Sequence, residues 1–105
     1  MGGLNFACAL EAQGATAVLS LRGEMDLATI DHFDQMVNES LATGPGRVVV
    51  DLSGLEFIDS SGMRALLRLQ ARLGDRARLE IVPGPPAVQR VFELVGLTAA
   101  LPFRR

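Results

Sequence analysis

The side chains best suited to chemistry are those of Asp59-Ser60-Ser61-Gly62, two hydroxyls beside a carboxylate where a helical pattern begins. The first turn of a helix has backbone N–H groups without intrahelical partners and carries the positive end of the helix dipole. A hydroxyl there can cap the helix when free and become an anion when phosphorylated, and the two roles are compatible. Gly62 has no side chain, which leaves room for another protein's backbone to approach the serines. A nucleophilic serine would need a base; His32 is the one histidine, it falls in a different predicted helix, and lysine is absent. Cys8 is the one cysteine, which excludes an intramolecular disulfide and any multi-cysteine metal site, and in a strand it reads as a small buried hydrophobe. No nucleotide-binding loop is found, so neither a cofactor nor a metal is expected. Arg64, Arg68 and Arg72 recur every fourth residue and read as a solvated helix face or as a contact stripe for an acidic partner.

The elements that must position these groups follow from hydrophobic periodicity. Leu4 to Leu10 and Thr16 to Arg22 read as strands joined by a short Gln13-Gly14 link, a hairpin. Asp26 can cap a helix that places Leu27, Ile30, Phe33, Val37 and Leu41 on one face and stops before Gly44-Pro45-Gly46. His32 falls away from that face. Arg47 to Leu52 holds Val48-Val49-Val50 without alternation, the pattern of a strand covered on both faces. A polar turn at Ser53-Gly54 and the segment Leu55-Glu56-Phe57-Ile58 come next. The second helix then runs from the Asp-Ser-Ser-Gly segment to about Leu73, with Met63, Leu66, Leu67 and Leu73 inward and Gly74 closing it. Leu79 to Val82 is a further strand, and Ala87 to Val95 a third helix bounded by Pro86 and Gly96. The order ββαβαβα predicts an α/β fold whose central sheet is mostly parallel, with the N-terminal hairpin as an antiparallel edge.

At 105 residues the chain has the size of one domain, and its 49% hydrophobic and 21% charged residues predict a folded one. The formal charge of −2, the absence of Trp and Tyr and the five Phe disfavour direct nucleic-acid binding. No run approaches the roughly 20 apolar residues of a membrane span, and the N-terminus lacks the basic segment of a secretory signal, so a cytoplasmic location is expected, with no membrane partner.

Three segments carry a resemblance. Val48-Val49-Val50-Asp51-Leu52-Ser53-Gly54-Leu55-Glu56-Phe57-Ile58-Asp59-Ser60-Ser61-Gly62-Met63 resembles the signature of STAS domains, specifically anti-sigma-factor antagonists. Leu21-Arg22-Gly23-Glu24-Met25-Asp26-Leu27 is similar to the family's earlier loop, and Val91-Phe92-Glu93-Leu94-Val95-Gly96-Leu97 to its closing helix and Gly-Leu turn. Together they imply that residues 1–105 form one STAS domain. The resemblance implies partner switching: the unmodified protein binds an anti-sigma factor that is also a serine kinase and thereby frees a sigma factor. Phosphorylation by that kinase ends the interaction, and a serine phosphatase resets it. By position, Ser60 would be the phosphorylated residue and Ser61 the second choice. Glu24, Asp26, Asp59, Ser60, Ser61, Gly62, Met63 and Arg64 would form the partner surface. ATP and its metal would belong to the kinase, so this chain would not be an enzyme. Two alternatives stay open: a STAS scaffold subunit of a signalling assembly or lipid-transport system, and a serine-nucleophile enzyme.

Overall fold

The computed structural model describes residues 5–104. Strands β1 (Phe6–Gln13) and β2 (Thr16–Met25) form an antiparallel hairpin, and a 3-10 turn (Leu27–Thr29) leads into α1 (Ile30–Leu41). Strand β3 (Arg47–Ile58), α2 (Ser60–Leu73), β4 (Arg78–Val82) and α3 (Pro86–Leu94) complete the order ββαβαβα. The strands lie in sequence order, with β2–β3 and β3–β4 parallel, as the alternation of elements requires. Leu4, expected in the first strand, lies outside the described residues.

The valine run explains why β3 is an inner strand. Val48 and Val50 pair with Ala17 and Leu19 and share their face, whereas Val49 points to the other; all three are buried. Helices α1 and α2 lie against each other, and α3 packs on β3. Leu19, Leu21, Phe33, Leu52, Leu66, Ile81 and Phe92 are among the fully buried side chains of the single core. Beyond α3 the chain returns to the outer edge of β4, where the Ile81 N–H donates to the Pro102 carbonyl and the Arg104 N–H to the Ile81 carbonyl. Phe103 meets Phe92 edge-on at 5.0 Å. Arg47 and Arg104 both pair with Glu80, and their hydrogen bonds hold its carboxyl below the ordinary carboxylate range.

Two expectations about these elements are corrected. The Ser53-Gly54 segment is not a turn between elements but lies inside β3, which runs unbroken to Ile58. Strand β3 has two more residues than the stretch of β2 it faces, because the pairing steps from Ser20↔Asp51 to Arg22↔Gly54 and from Gly23↔Leu55 to Glu24↔Phe57. Each step is a bulge, which bends a strand and re-aims its side chains. That is why Leu55 and Ile58 point inward while Glu56 and Phe57 between them both face solvent. The second correction is Leu27, which belongs to the 3-10 turn and not to the buried face of α1; three residues per turn do not continue the α-helical stripe.

Candidate functional site

Strands β2 and β3 end in register at Met25↔Ile58, and the Asp59 N–H donates to the Met25 carbonyl at 3.2 Å. The next residue on each strand is an aspartate, so two acidic caps stand side by side at the carboxyl ends of the inner strands. Asp59 is extended, and its Oδ1 accepts from the N–H groups of Ser61 at 2.9 Å and Gly62 at 3.2 Å. Ser60 is the first residue of α2; it is exposed, and its hydroxyl has no hydrogen-bond partner among the described residues. Ser61 is half-buried. The cap therefore falls to the carboxylate, not to either serine. Two of the backbone donors expected to be open to a phosphoryl group are already engaged by Asp59.

On the neighbouring strand, Asp26 Oδ1 accepts from the Ala28 N–H at 3.0 Å, and Thr29 Oγ1 accepts from the Asp26 N–H at 3.0 Å, a reciprocal capping box. Asp26 thus caps the 3-10 turn that precedes α1. Glu24, half-buried, sits opposite Phe57 and accepts from Asn5 Nδ2 at 3.4 Å. Gly23 before it has φ +88°, and a Cβ there would fall 1.6 Å from the Asn5 carbonyl oxygen. Only glycine lets β1 pass this point.

Gly62 and Met63 are not available as contact residues in this conformation, because both are buried. A Cβ on Gly62 would lie 2.7 Å from Ile58 Cγ1 and 3.1 Å from the Met25 carbonyl oxygen. The glycine lets α2 start hard against the two strand ends; it does not open space for another protein. Arg64 is exposed in the first turn and forms no ion pair among the described residues. Arg68 and Arg72 are exposed, as a solvated helix face requires, and they reach across to α1, at 3.5 Å from Asp34 Oδ2 and 2.7 Å from Asn38 Oδ1. They line a groove between α1 and α2 whose walls include none of Asp59–Met63. His32 is exposed and touches Phe6 edge-on at 5.8 Å. Burial pushes the Cys8 thiol up to about 11, which leaves it unreactive at neutral pH.

Two residues in the neighbourhood were missed by sequence reasoning. Leu27 is 76% exposed and Phe57 48% exposed. Leu27 follows the Asp26 cap, and Phe57 pairs with Glu24 two residues before Asp59. A clue lay in Leu55-Glu56-Phe57-Ile58, where Leu55 and Ile58 have opposite parity and share the core face only through a bulge, which leaves Phe57 on the other face.

Comparison with known proteins places this arrangement. The family model described as "Mlab, STAS domain" matches residues 8–102. The chain belongs to the STAS family. Among its relatives is the anti-sigma-F factor antagonist RsfB of Mycobacterium tuberculosis, 33% identical over 81 residues, which are 77% of this chain and 66% of RsfB. This STAS chain thus spans just under two thirds of that relative's length. A crystal structure of an anti-sigma factor antagonist from Mycobacterium paratuberculosis superposes with a TM-score of 0.85 at 30% identity, covering 93% of this chain and 84% of the other. The Bacillus cell-fate determinant SpoIIAA in its phosphorylated form has a TM-score of 0.69 at 24% identity, over 94% of this chain and 92% of that one, a likeness of fold.

In this STAS chain the ends of β2 and β3 that lead to Ser60 carry exposed apolar area from Leu27 and Phe57 and the carboxylates of Glu24, Asp26 and Asp59. Arg64 is the cation of its own helix turn. Such a rim suits a partner that brings apolar side chains and positive charge. No helix among the described residues is long and apolar enough to cross a membrane.

Proposed function

We propose that this STAS protein is an anti-sigma-factor antagonist whose unphosphorylated form binds an anti-sigma factor with serine kinase activity and so frees a sigma factor. Phosphorylation of Ser60 ends that interaction, and a serine phosphatase restores it. Ser61 is the second-choice acceptor, being half-buried. The partner surface comprises Glu24, Asp26, Asp59, Ser60, Ser61 and Arg64, extended by Leu27 and Phe57. The setting is the cytoplasm, and this chain is the substrate of the kinase, not a catalyst.

One observation carries the reading: Ser60 is exposed at the first position of α2 while Asp59, not Ser60, holds the cap. The hydroxyl can be modified without breaking a hydrogen bond that the fold needs. The added group bears about −1.5 to −2 charge beside a carboxylate that already takes two of the helix N–H groups. A partner fitted to a hydroxyl would have to desolvate that charge, and a loss of only about 3 kcal/mol weakens binding roughly a hundredfold. The enzyme alternative is disfavoured, since His32 packs on Phe6 and the Ser60 hydroxyl has no base among the described residues.

The test is to mix the protein with candidate anti-sigma kinases and ATP and to locate added phosphate by mass spectrometry. Phosphate on Ser60, partner binding kept in Ser60→Ala and lost in Ser60→Asp, is the expected result. Equal affinity of the Ala and Asp variants for one kinase would refute the switch. Tight partner binding with no phosphate on any serine would favour the scaffold alternative.

A further inference from the structure

We infer that the free edge of β1 is a self-association edge, and that two copies of the protein join their sheets antiparallel through residues 6–10 with Cys8 opposite Cys8 on the dyad. Strand β1 is the end of the sheet, and its outer edge has no strand partner among the described residues. The Glu24 N–H donates to the Asn5 carbonyl, and the register from Asn5 to Gln13 is unbroken. Because antiparallel ladders alternate, the odd-numbered residues of β1 bond to β2, and the N–H and C=O groups of Phe6, Cys8 and Leu10 point outward.

Edges of this kind are usually blunted by proline, lysine, a bulge or an inward charge. Phe6–Gln13 has none of these; its one charge is Glu11, near the far end. The sequence Phe6-Ala7-Cys8-Ala9-Leu10 is also close to a palindrome. Antiparallel pairing about Cys8 sets Phe6 opposite Leu10 of the second copy and Ala7 opposite Ala9. Asn5 then faces Glu11, a hydrogen-bonding match at each end. The parity is right as well, since Phe6, Cys8 and Leu10 are the residues with unpaired groups. Three pairs, each exchanging two bonds, give six inter-copy hydrogen bonds.

The helices agree with this geometry. Helix α1 packs over both β1 and β2, so it lies close to the free edge on one face of the sheet. A dyad just outside β1 and perpendicular to the sheet would bring the α1 helices of the two copies to the same face, on either side of the new strand pair. Phe6, Cys8, Leu10 and Met36 are half-buried and packed on the core, and joining the edges would finish their burial on the helix-bearing face. The Ser60 surface, at the ends of β2 and β3, stays uncovered.

Ala7 and Ala9 are exposed on the opposite face, so substitutions there leave the core alone. The A7E/A9E variant sets like charges opposite each other twice across the dyad and should weaken self-association about tenfold, read by analytical ultracentrifugation. The A7E/A9K variant sets opposite charges across the same contacts and should associate at least as tightly as the unmodified protein. Hydrogen exchange supplies the register: the amides of Phe6, Cys8 and Leu10 should gain protection as concentration rises. A chain that stays monomeric at millimolar concentration overturns the inference. So does a dimer weakened equally by both variants, or one that leaves those three amides unprotected.

Discussion

The charge beside Ser60 can be removed without removing the cap. Asp59→Asn keeps an oxygen that accepts from the Ser61 and Gly62 N–H groups, since asparagine caps about as well as aspartate. What it deletes is one negative charge next to the phosphoserine of the switched-off form. A phosphate on Ser60 and the Asp59 carboxylate would belong to adjacent residues, whose Cα atoms are about 3.8 Å apart and whose side chains diverge, so their charge centres would stand on the order of 6 Å apart. Each unit charge at that distance costs about 0.7 kcal/mol in bulk dielectric and about 2.8 kcal/mol at an effective dielectric of 20. Ser60 is exposed, so the lower figure governs. The second phosphate ionisation adds one unit of charge, and 0.7 kcal/mol corresponds to about half a pH unit. With phosphoserine installed at position 60, the midpoint of the phosphorus NMR titration should therefore fall by about 0.5 pH unit in Asp59→Asn, with thermal stability nearly unchanged. The same variant should recover several-fold affinity for the partner in the phosphorylated form. A midpoint that stays put or rises would mean that the phosphate has displaced the carboxylate from the helix N–H groups. The repulsion account would then fail.

Leu27→Ala and Phe57→Ala should each weaken partner binding about tenfold or more, because burying either side chain in an interface is worth about 1.5–3 kcal/mol, while their exposure leaves folding almost unaffected; calorimetric titration against the partner checks both. Gly23→Ala should destabilise the fold by at least about 2 kcal/mol in denaturant unfolding, since a Cβ would meet the Asn5 carbonyl and φ is positive. Gly62→Ala gains about 1 kcal/mol of helix propensity but must push Ile58 and Met25 apart, so a net loss of about 1 kcal/mol is expected by the same measurement. Glu80 has its folded-state pKa lowered by the hydrogen bonds from Arg47 and Arg104, so its stabilising contribution is present above the ordinary glutamate range and is lost as pH falls through the lowered value. Unfolding of Glu80→Gln across acidic pH should lack that part of the acid sensitivity.

Much of the architecture could be read from periodicity because burial imposes it residue by residue. The unbroken Val48-Val49-Val50 run marks an inner strand, and alternation at Thr16 to Arg22 marks the strand beside it. What periodicity could not show is where it breaks. The first bulge in β3 looks like a polar turn at Ser53-Gly54, because local residue type is the same whether the chain reverses there or merely gains one residue against its neighbour. That ambiguity reaches the site, since the second bulge turns Phe57 outward and sets it across from Glu24, making an apolar patch beside two capping aspartates. Leu27 is exposed for a related reason: a 3-10 turn and an α-helix share the same cap residues but aim the next side chain differently. The Asp-Ser-Ser-Gly segment itself was legible as a helix start, yet its division of labour was not. Aspartate and serine compete for one cap, and the choice is made by strand ends that fix Asp59 through the Met25 carbonyl and leave no room for a Cβ at Gly62. Ser60 is exposed because Asp59 is held, so the residue that carries the proposed switch owes its freedom to tertiary contacts that no local pattern encodes.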